Sequence, residues 1–135
     1  MSYHVRQLMH DVARFHNATG QPVLTYPLLV EQRVELRKAL IKEEYEEVIE
    51  AFDAGDLVEL ADGLADLIYV CVGAALEMGI PLDRVWSEVQ RSNMAKIDPL
   101  TGKVAYREDG KVKKPDGWTP PDIAGAMDVH DRGEI

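Results

Sequence analysis

Between Glu43 and Asp66 the chain carries ten acidic residues and no lysine or arginine, yet the same stretch holds Val48, Ile49, Phe52, Leu60, Leu64 and Leu67. Surface charge is ordinarily mixed in sign. One-signed charge interleaved with core-forming residues restricts this segment to helices that bury one face and crowd carboxylates on another. At about 100° per residue, Glu43, Glu46, Glu47 and Glu50 fall on one side of a first helix, with Glu44 at the edge of that group. Glu59, Asp62 and Asp66 share a side of a second helix. Gly55 stops the first helix and Asp56 can cap the next. So short a joint forces an antiparallel pair, and Glu43, Glu47, Glu59 and Asp62 are expected to converge across it.

Converging carboxylates repel by a few tenths of a kcal/mol per pair one turn apart on an isolated helix, and by more when partly buried. A cation removes that cost. Oxygen-only donors favour a hard divalent ion, Mg²⁺ where substrate phosphates and water complete the octahedron. The alternative for one acidic helix is a solvated face; two adjacent acidic helices with matching faces favour the metal. A di-iron bundle needs a Glu-x-x-His pair, and none of His4, His10, His16 and His130 has a glutamate three residues before it.

The remaining pattern predicts an all-α fold. Val5, Leu8, Met9, Val12 and Phe15 recur at spacings of three and four and predict a helix over 3–17. Gly20, Pro22 and Pro27 make 18–27 a loop. Further helices are predicted over 28–54, 57–78 and 81–96, the third apolar on nearly all sides and so buried in a bundle or at a subunit interface. After Ile97 the pattern changes. Asp98-Pro99, Thr101-Gly102 and Asp109-Gly110 mark turns, 103–106 and 111–113 can pair as a small hairpin, and 123–127 can form a last helical turn before a frayed end at 128–135. The expected architecture is an antiparallel four-helix core over 1–97, with a partly irregular basic arm over 98–135 packed on it.

Lys and Arg total 15 against 24 Asp and Glu, a net charge of -9, which opposes binding to nucleic acid or an anionic membrane. From Arg91 to Lys114 the balance inverts, with seven cationic residues against Asp98, Glu108 and Asp109. An acidic metal cradle followed by a basic arm is what a polyphosphate substrate requires. The lone cysteine, Cys71, lies in an apolar stretch and is expected to be a core thiol, with no disulfide or cysteine zinc site. The start lacks a signal-peptide run, and the longest hydrophobic region is interrupted by Glu59, Asp62 and Asp66. These features lead to the expectation of a cytoplasmic protein with no membrane span.

Glu43-Glu44-Tyr45-Glu46-Glu47, followed by Glu59-Leu60-Ala61-Asp62, resembles the EExxE and ExxD motifs of the all-α nucleotide pyrophosphatases. That superfamily includes MazG, the dimeric dUTPases and phosphoribosyl-ATP pyrophosphohydrolase. The likeness continues through Phe15-His16, Leu36-Arg37, Leu40-Ile41, the run from Ala65 to Val70, the run from Arg91 to Lys96, Asp109-Gly110-Lys111 and Pro120-Pro121-Asp122. It covers nearly the whole chain and is nearest to single-module MazG-like proteins of bacteria and phages. The resemblance implies Mg²⁺-dependent hydrolysis between the α and β phosphates of a nucleoside triphosphate, with Mn²⁺ as a substitute ion. It implies Glu43, Glu47, Glu59 and Asp62 as metal ligands and Glu44 as the residue that activates water. Asn93 and Lys96 match the substrate-binding pair, and Arg37, Lys111 and His16 stand as further substrate-side residues. Asp66 can orient a ligand or accept a proton, or equally serve as a helix cap or in a structural pair.

The short spacer between Glu47 and Glu59 leaves out any extra segment that shapes the base pocket in longer relatives. The resemblance further implies a homodimer or homotetramer. Its first substrate expectation is dUTP or another pyrimidine deoxynucleotide, in nucleotide-pool housecleaning. The alternatives are phosphoribosyl-ATP as substrate, or a non-enzymatic helical oligomerisation module.

Overall fold

A computed structural model describes residues 4–128 of the chain. It is all-α: α1 (Val5–Thr19), α2 (Glu31–Ala54), α3 (Leu57–Glu77), α4 (Leu82–Met94) and α5 (Ile123–Met127). The described residues fall into two compact units, divided between Leu82 and Asp83. No single helix among them is long and apolar enough to cross a membrane. The reading of 128–135 as frayed lies, beyond Asp128, outside the described residues, as does His130.

In the first unit, α3 packs against both α1 and α2. Val12, Val72 and Leu76 form the buried centre of the α1–α3 contact, with Leu8, Met9, Ala13, Val23 and Leu82 packed around them. The α2–α3 joint follows its sequence signals. Gly55 takes the left-handed conformation that glycine adopts without steric cost, φ 64°, and the Asp56 side chain accepts from the Glu59 N–H at 3.1 Å.

The loop before α2 is tied to the end of α3. Leu24 N–H donates to the Leu76 carbonyl at 2.8 Å and Leu28 N–H to the Met78 carbonyl at 2.9 Å, filling acceptors that a helix end leaves open. This explains why α2 starts at Glu31 and not at Leu28: residues 28–30 stay extended to serve α3. Gly79 (φ 65°) lies so close to Tyr26 that a Cβ would collide with the Tyr26 carbonyl.

Cys71 is exposed, not in the core as its apolar neighbours suggest. The reason is the phase of α3. Its side facing α2 runs through Gly63, Asp66, Val70, Gly73 and Glu77, so part of its apolar surface is left open, with Leu64 and Ile68 exposed.

The second unit contains α4, α5 and the segment between them. The α4 C-terminus tightens, with Lys96 N–H donating to the Asn93 carbonyl at 3.1 Å, so the Ser92 carbonyl receives no bond from the Lys96 N–H. The Trp118 indole N–H fills it at 2.7 Å. Asp122 N–H donates to Glu88 Oε1 at 2.9 Å, while the Asp122 carboxylate caps α5 by accepting from Gly125 N–H at 3.0 Å. These two ties gather α4 with the segment that follows it, and the division between the units falls at the first residue of α4, between Leu82 and Asp83. The expected hairpin is reduced to one antiparallel bridge, Tyr106 to Val112, and no strand forms among the described residues.

Candidate active site

The side of α2 that meets α3 is marked by buried Arg37, Val48 and Ala51. Their spacing places Glu44 on the same line, since residues seven apart nearly eclipse on a helix. The matching line on α3 runs through Gly63 and Asp66 to Gly73 and Glu77. Gly63 is the close-approach point: a Cβ there would stand 3.1 Å from a Val48 methyl carbon. With Val48 opposite Gly63 in an antiparallel pair, one turn back along α2 reaches Glu44 and one turn forward along α3 reaches Asp66.

Glu44, Glu47 and Asp66 accordingly each bring a carboxylate oxygen within 4.8 Å of the others. This differs from the expected set. Glu47 is in the group; Glu43, Glu59 and Asp62 are not, and all three are exposed. The helical-wheel reading chose the side with the most acids, whereas the buried stripe decides which acids face α3. Asp62 is one residue, about 100°, away from the Gly63 position, and Glu59 lies a turn nearer the Gly55 joint. The signal that could have found the observed set was present in the spacing of Arg37, Glu44, Val48 and Ala51.

Glu44 has one buried carboxylate oxygen, Oε2, without a hydrogen-bond partner. Burial, then the charge of Glu47, with Asp66 and Glu43 contributing, pushes its carboxyl above the usual range. A buried unpaired oxygen among like charges is costly to leave alone. The donor set is oxygen only and brings formal negative charge, so it fits a hard divalent cation, with Mg²⁺ or Mn²⁺ both compatible. Glu47 and Asp66 would hold it, with the Glu44 carboxylate beside them.

Arg37 and His16 lie inside the first unit. Arg37 is 5% exposed; its Nη1 donates to Glu77 Oε2 at 2.8 Å and its Nη2 to the Val70 carbonyl at 2.8 Å. Those bonds leave only its buried Nε without a partner. His16 is 2% exposed, and its Nδ1 donates to the Pro22 carbonyl at 3.1 Å, holding the loop before α2. Both side chains crowd Gly73, where a Cβ would approach Arg37 Nη2 and His16 Nε2. Their place is therefore structural: they fix α2 and the loop on α3, a role sequence spacing does not distinguish from facing substrate.

Glu77, which the sequence reading did not single out, is completely buried and pairs with both Arg33 and Arg37. Burial alone would raise its carboxyl, but the hydrogen bond from Arg33 and the charges of Arg37 and Arg33 hold it below the usual range. Two arginines on adjacent turns of α2 were the available signal, since an interior guanidinium needs an anionic partner.

In the second unit Lys96 Nζ donates to Asn93 Oδ1 at 3.0 Å, so the expected substrate-binding pair is in mutual contact. Lys96 Nζ also stands 5.4 Å from the Trp118 ring centroid, and Lys114 Nζ stands 4.8 Å from it. Such contacts contribute about 0.5–1 kcal/mol at exposed sites. Lys111 is exposed, and its backbone N–H donates to Asp109 Oδ1 at 3.1 Å within the turn.

The sequence profile of the family described as phosphoribosyl-ATP pyrophosphohydrolase matches residues 12–93, from α1 through the Asn93 end of α4. The chain belongs to the phosphoribosyl-ATP pyrophosphohydrolase family. This family sits within the MazG-like all-α nucleotide pyrophosphatase superfamily. The match spans Glu44, Glu47 and Asp66 but stops before Lys114 and Trp118. An uncharacterized protein of Acanthamoeba polyphaga mimivirus is 36% identical over an alignment of 77 residues that covers 53% of this chain and 31% of that relative. The chain thus spans about a third of that relative's length.

Proposed function

We propose that this family member is a Mg²⁺-dependent nucleoside triphosphate pyrophosphohydrolase, releasing a nucleoside monophosphate and pyrophosphate. The observation that carries the reading is the gathering of Glu44, Glu47 and Asp66, with one Glu44 oxygen buried and unpaired. Bound there, the divalent ion supplies charge neutralisation of phosphate oxygens as a Lewis acid. Glu44 accepts the proton of the attacking water on its unpaired carboxylate oxygen. Glu47 and Asp66 hold the ion, and Glu43, Glu59 and Asp62 add negative potential on the same pair of helices. Asn93 and Lys96 bind the sugar or phosphate side of the substrate, with Lys111 as a further cation.

The first substrate expected is dUTP or another pyrimidine deoxynucleotide. Phosphoribosyl-ATP is the second reading, favoured by the description of the matching family. Pyrophosphate release should be measured over the canonical and several damaged nucleoside triphosphates and phosphoribosyl-ATP, with Mg²⁺ and with chelator. Release from a pyrimidine deoxynucleotide alone supports the first reading, and release from phosphoribosyl-ATP alone replaces it with the second. No release from any substrate would return the chain to a non-enzymatic helical module.

The reading includes a homodimer or homotetramer in the cytoplasm. Tyr45, Ile49 and Phe52 on α2 and Leu57, Val58, Leu64 and Ile68 on α3 are all exposed in the single chain, apolar side chains of the kind that self-association covers. An open concavity lined by Glu35, Lys38, Ala39, Ile41, Lys42 and Tyr45 lies on α2 alone and has no opposing wall, as a surface awaiting a second copy would. Light scattering on the purified chain checks this, and a single-chain mass would remove the oligomer from the reading.

Mg²⁺ should raise the melting temperature by relieving repulsion in the triad. Asp66→Asn is expected to lose more than half of that rise, whereas Asp62→Asn is expected to keep most of it. The reverse order, read by thermal unfolding with and without Mg²⁺, would move the ion back to the wheel-based set.

A further inference from the structure

We propose that Trp118 is a positioning residue that gathers Lys96 and Lys114 into a two-cation clamp for a small polyphosphate anion of the pyrophosphate class. The inference rests on the reading above that this chain handles a polyphosphate, and it adds residues that lie beyond the stretch matched by the family profile.

Three observations carry it. The indole is fixed at both ends: its N–H fills the open Ser92 carbonyl at 2.7 Å, and its own backbone N–H closes a turn onto the Pro115 carbonyl at 3.1 Å. That turn passes through Gly117 at φ 79°, a conformation open to glycine at little cost. A ring held this way is a rigid platform at the end of α4.

Two ammonium groups stand within 5.4 Å of that one ring centroid. Like charges brought to one ring repel, and the ring quadrupole offsets this only in part.

Neither ammonium forms an ion pair with a carboxylate among the described residues. Lys38 pairs with Glu35, Lys42 with Glu46, Arg91 with Glu88 and Arg107 with Asp109; Lys103, Lys111 and Lys113 form no such pair either among the described residues, and what sets Lys96 and Lys114 apart is the ring they share. In a chain of net charge -9, two gathered cations without a carboxylate suit an anion from outside. The anion must present oxygens to both lysines, which pyrophosphate does better than a single phosphate. Lys96 also lies just past the α4 C-terminus, where the helix dipole favours a cation.

The test uses the full chain carrying Trp86→Phe, which leaves Trp118 as the sole indole. Inorganic pyrophosphate and inorganic phosphate are titrated without nucleotide or divalent metal, read by Trp118 emission and by calorimetry. Pyrophosphate should bind saturably and at least tenfold tighter than phosphate. Lys114→Met should weaken pyrophosphate about tenfold while changing phosphate less than threefold. Trp118→Leu, read by calorimetry, should weaken pyrophosphate about tenfold, and Trp118→Phe, which keeps a π face but loses the bond to Ser92 that fixes it, should fall between wild type and Trp118→Leu.

Equal affinity for the two anions overturns the clamp, as does unchanged pyrophosphate affinity in Lys114→Met or Trp118→Leu. Equal losses in Trp118→Phe and Trp118→Leu overturn it too, because the ring face would then contribute nothing to gathering the lysines. If Trp118→Leu fails to fold, Lys114→Met, which leaves the ring and its bond to Ser92 in place, decides alone. Because no hydrolysis is measured, a chain inactive on every nucleotide can still show the clamp, and an active one can lack it.

Discussion

Glu44→Gln should lower pyrophosphate release by at least about a hundredfold, the size expected when a positioned proton acceptor is removed with its shape retained. The same substitution should stabilise the metal-free chain at neutral pH. Glu44 has a carboxyl raised by burial and by Glu47. A group whose folded-state pKa exceeds its unfolded value contributes stability below the unfolded pKa and loses that contribution as pH rises through the folded one. At neutral pH the charged carboxylate therefore opposes folding, and a neutral amide does not. Steady-state rates with Mg²⁺ and thermal unfolding with chelator check the two halves. A wild-type rate would dismiss the base assignment; a lower metal-free melting temperature would dismiss the account of the buried oxygen.

The largest stability effect is expected at Glu77. It is fully buried between Arg33 and Arg37, and Glu77→Ala leaves Arg37 buried without its counter-charge, at a cost of about 3–5 kcal/mol. Most small domains have only about 5–15 kcal/mol in all, so the variant should be near unfolding at physiological temperature. The pH dependence follows from the direction of its shift. Its carboxyl is held below the usual range in the fold, so its contribution is present above the unfolded pKa and disappears as pH falls through the folded one. Wild type should lose stability on acidification in that window, and Glu77→Leu, where it folds, should lack that part of the acid limb. Urea unfolding across acidic pH reads both. A variant as stable as wild type would mean that Arg33 and Arg37 find water or other partners and that the pair does not fix α2 on α3.

Glu77 and Glu44 also show why the α2–α3 contact was only half legible. The stripe between these helices is polar along much of its length: Arg37 with Glu77 at one end, Glu44 with Asp66 further along. A reading that assigns charge to the solvent side and apolar residues to the core inverts such an interface. It put Cys71 inside and Arg37 toward substrate, whereas the fold puts Arg37 inside and leaves Cys71, Ile68 and Phe52 exposed in the single chain.

The amino-acid sequence alone determined the helices, their order and the α2–α3 joint, because these depend on local chemistry. Gly55 adopts a left-handed φ, the Asp56 side chain caps α3, and the Pro120-Pro121-Asp122 signal precedes a helical turn at Ile123–Met127. It also determined the acidic character of the site and the family. Only tertiary structure decided which acids meet. Helix rotation is set by the close approach of Val48 to Gly63 and by the buried Arg37–Glu77 pair, and a rotation of one residue, about 100°, exchanges Glu43 for Glu44 and Asp62 for Asp66. Trp118 needed the fold for the same reason. Its bond to Ser92 spans 26 residues, and no local spacing records a contact made by an acceptor that the last turn of a helix leaves open.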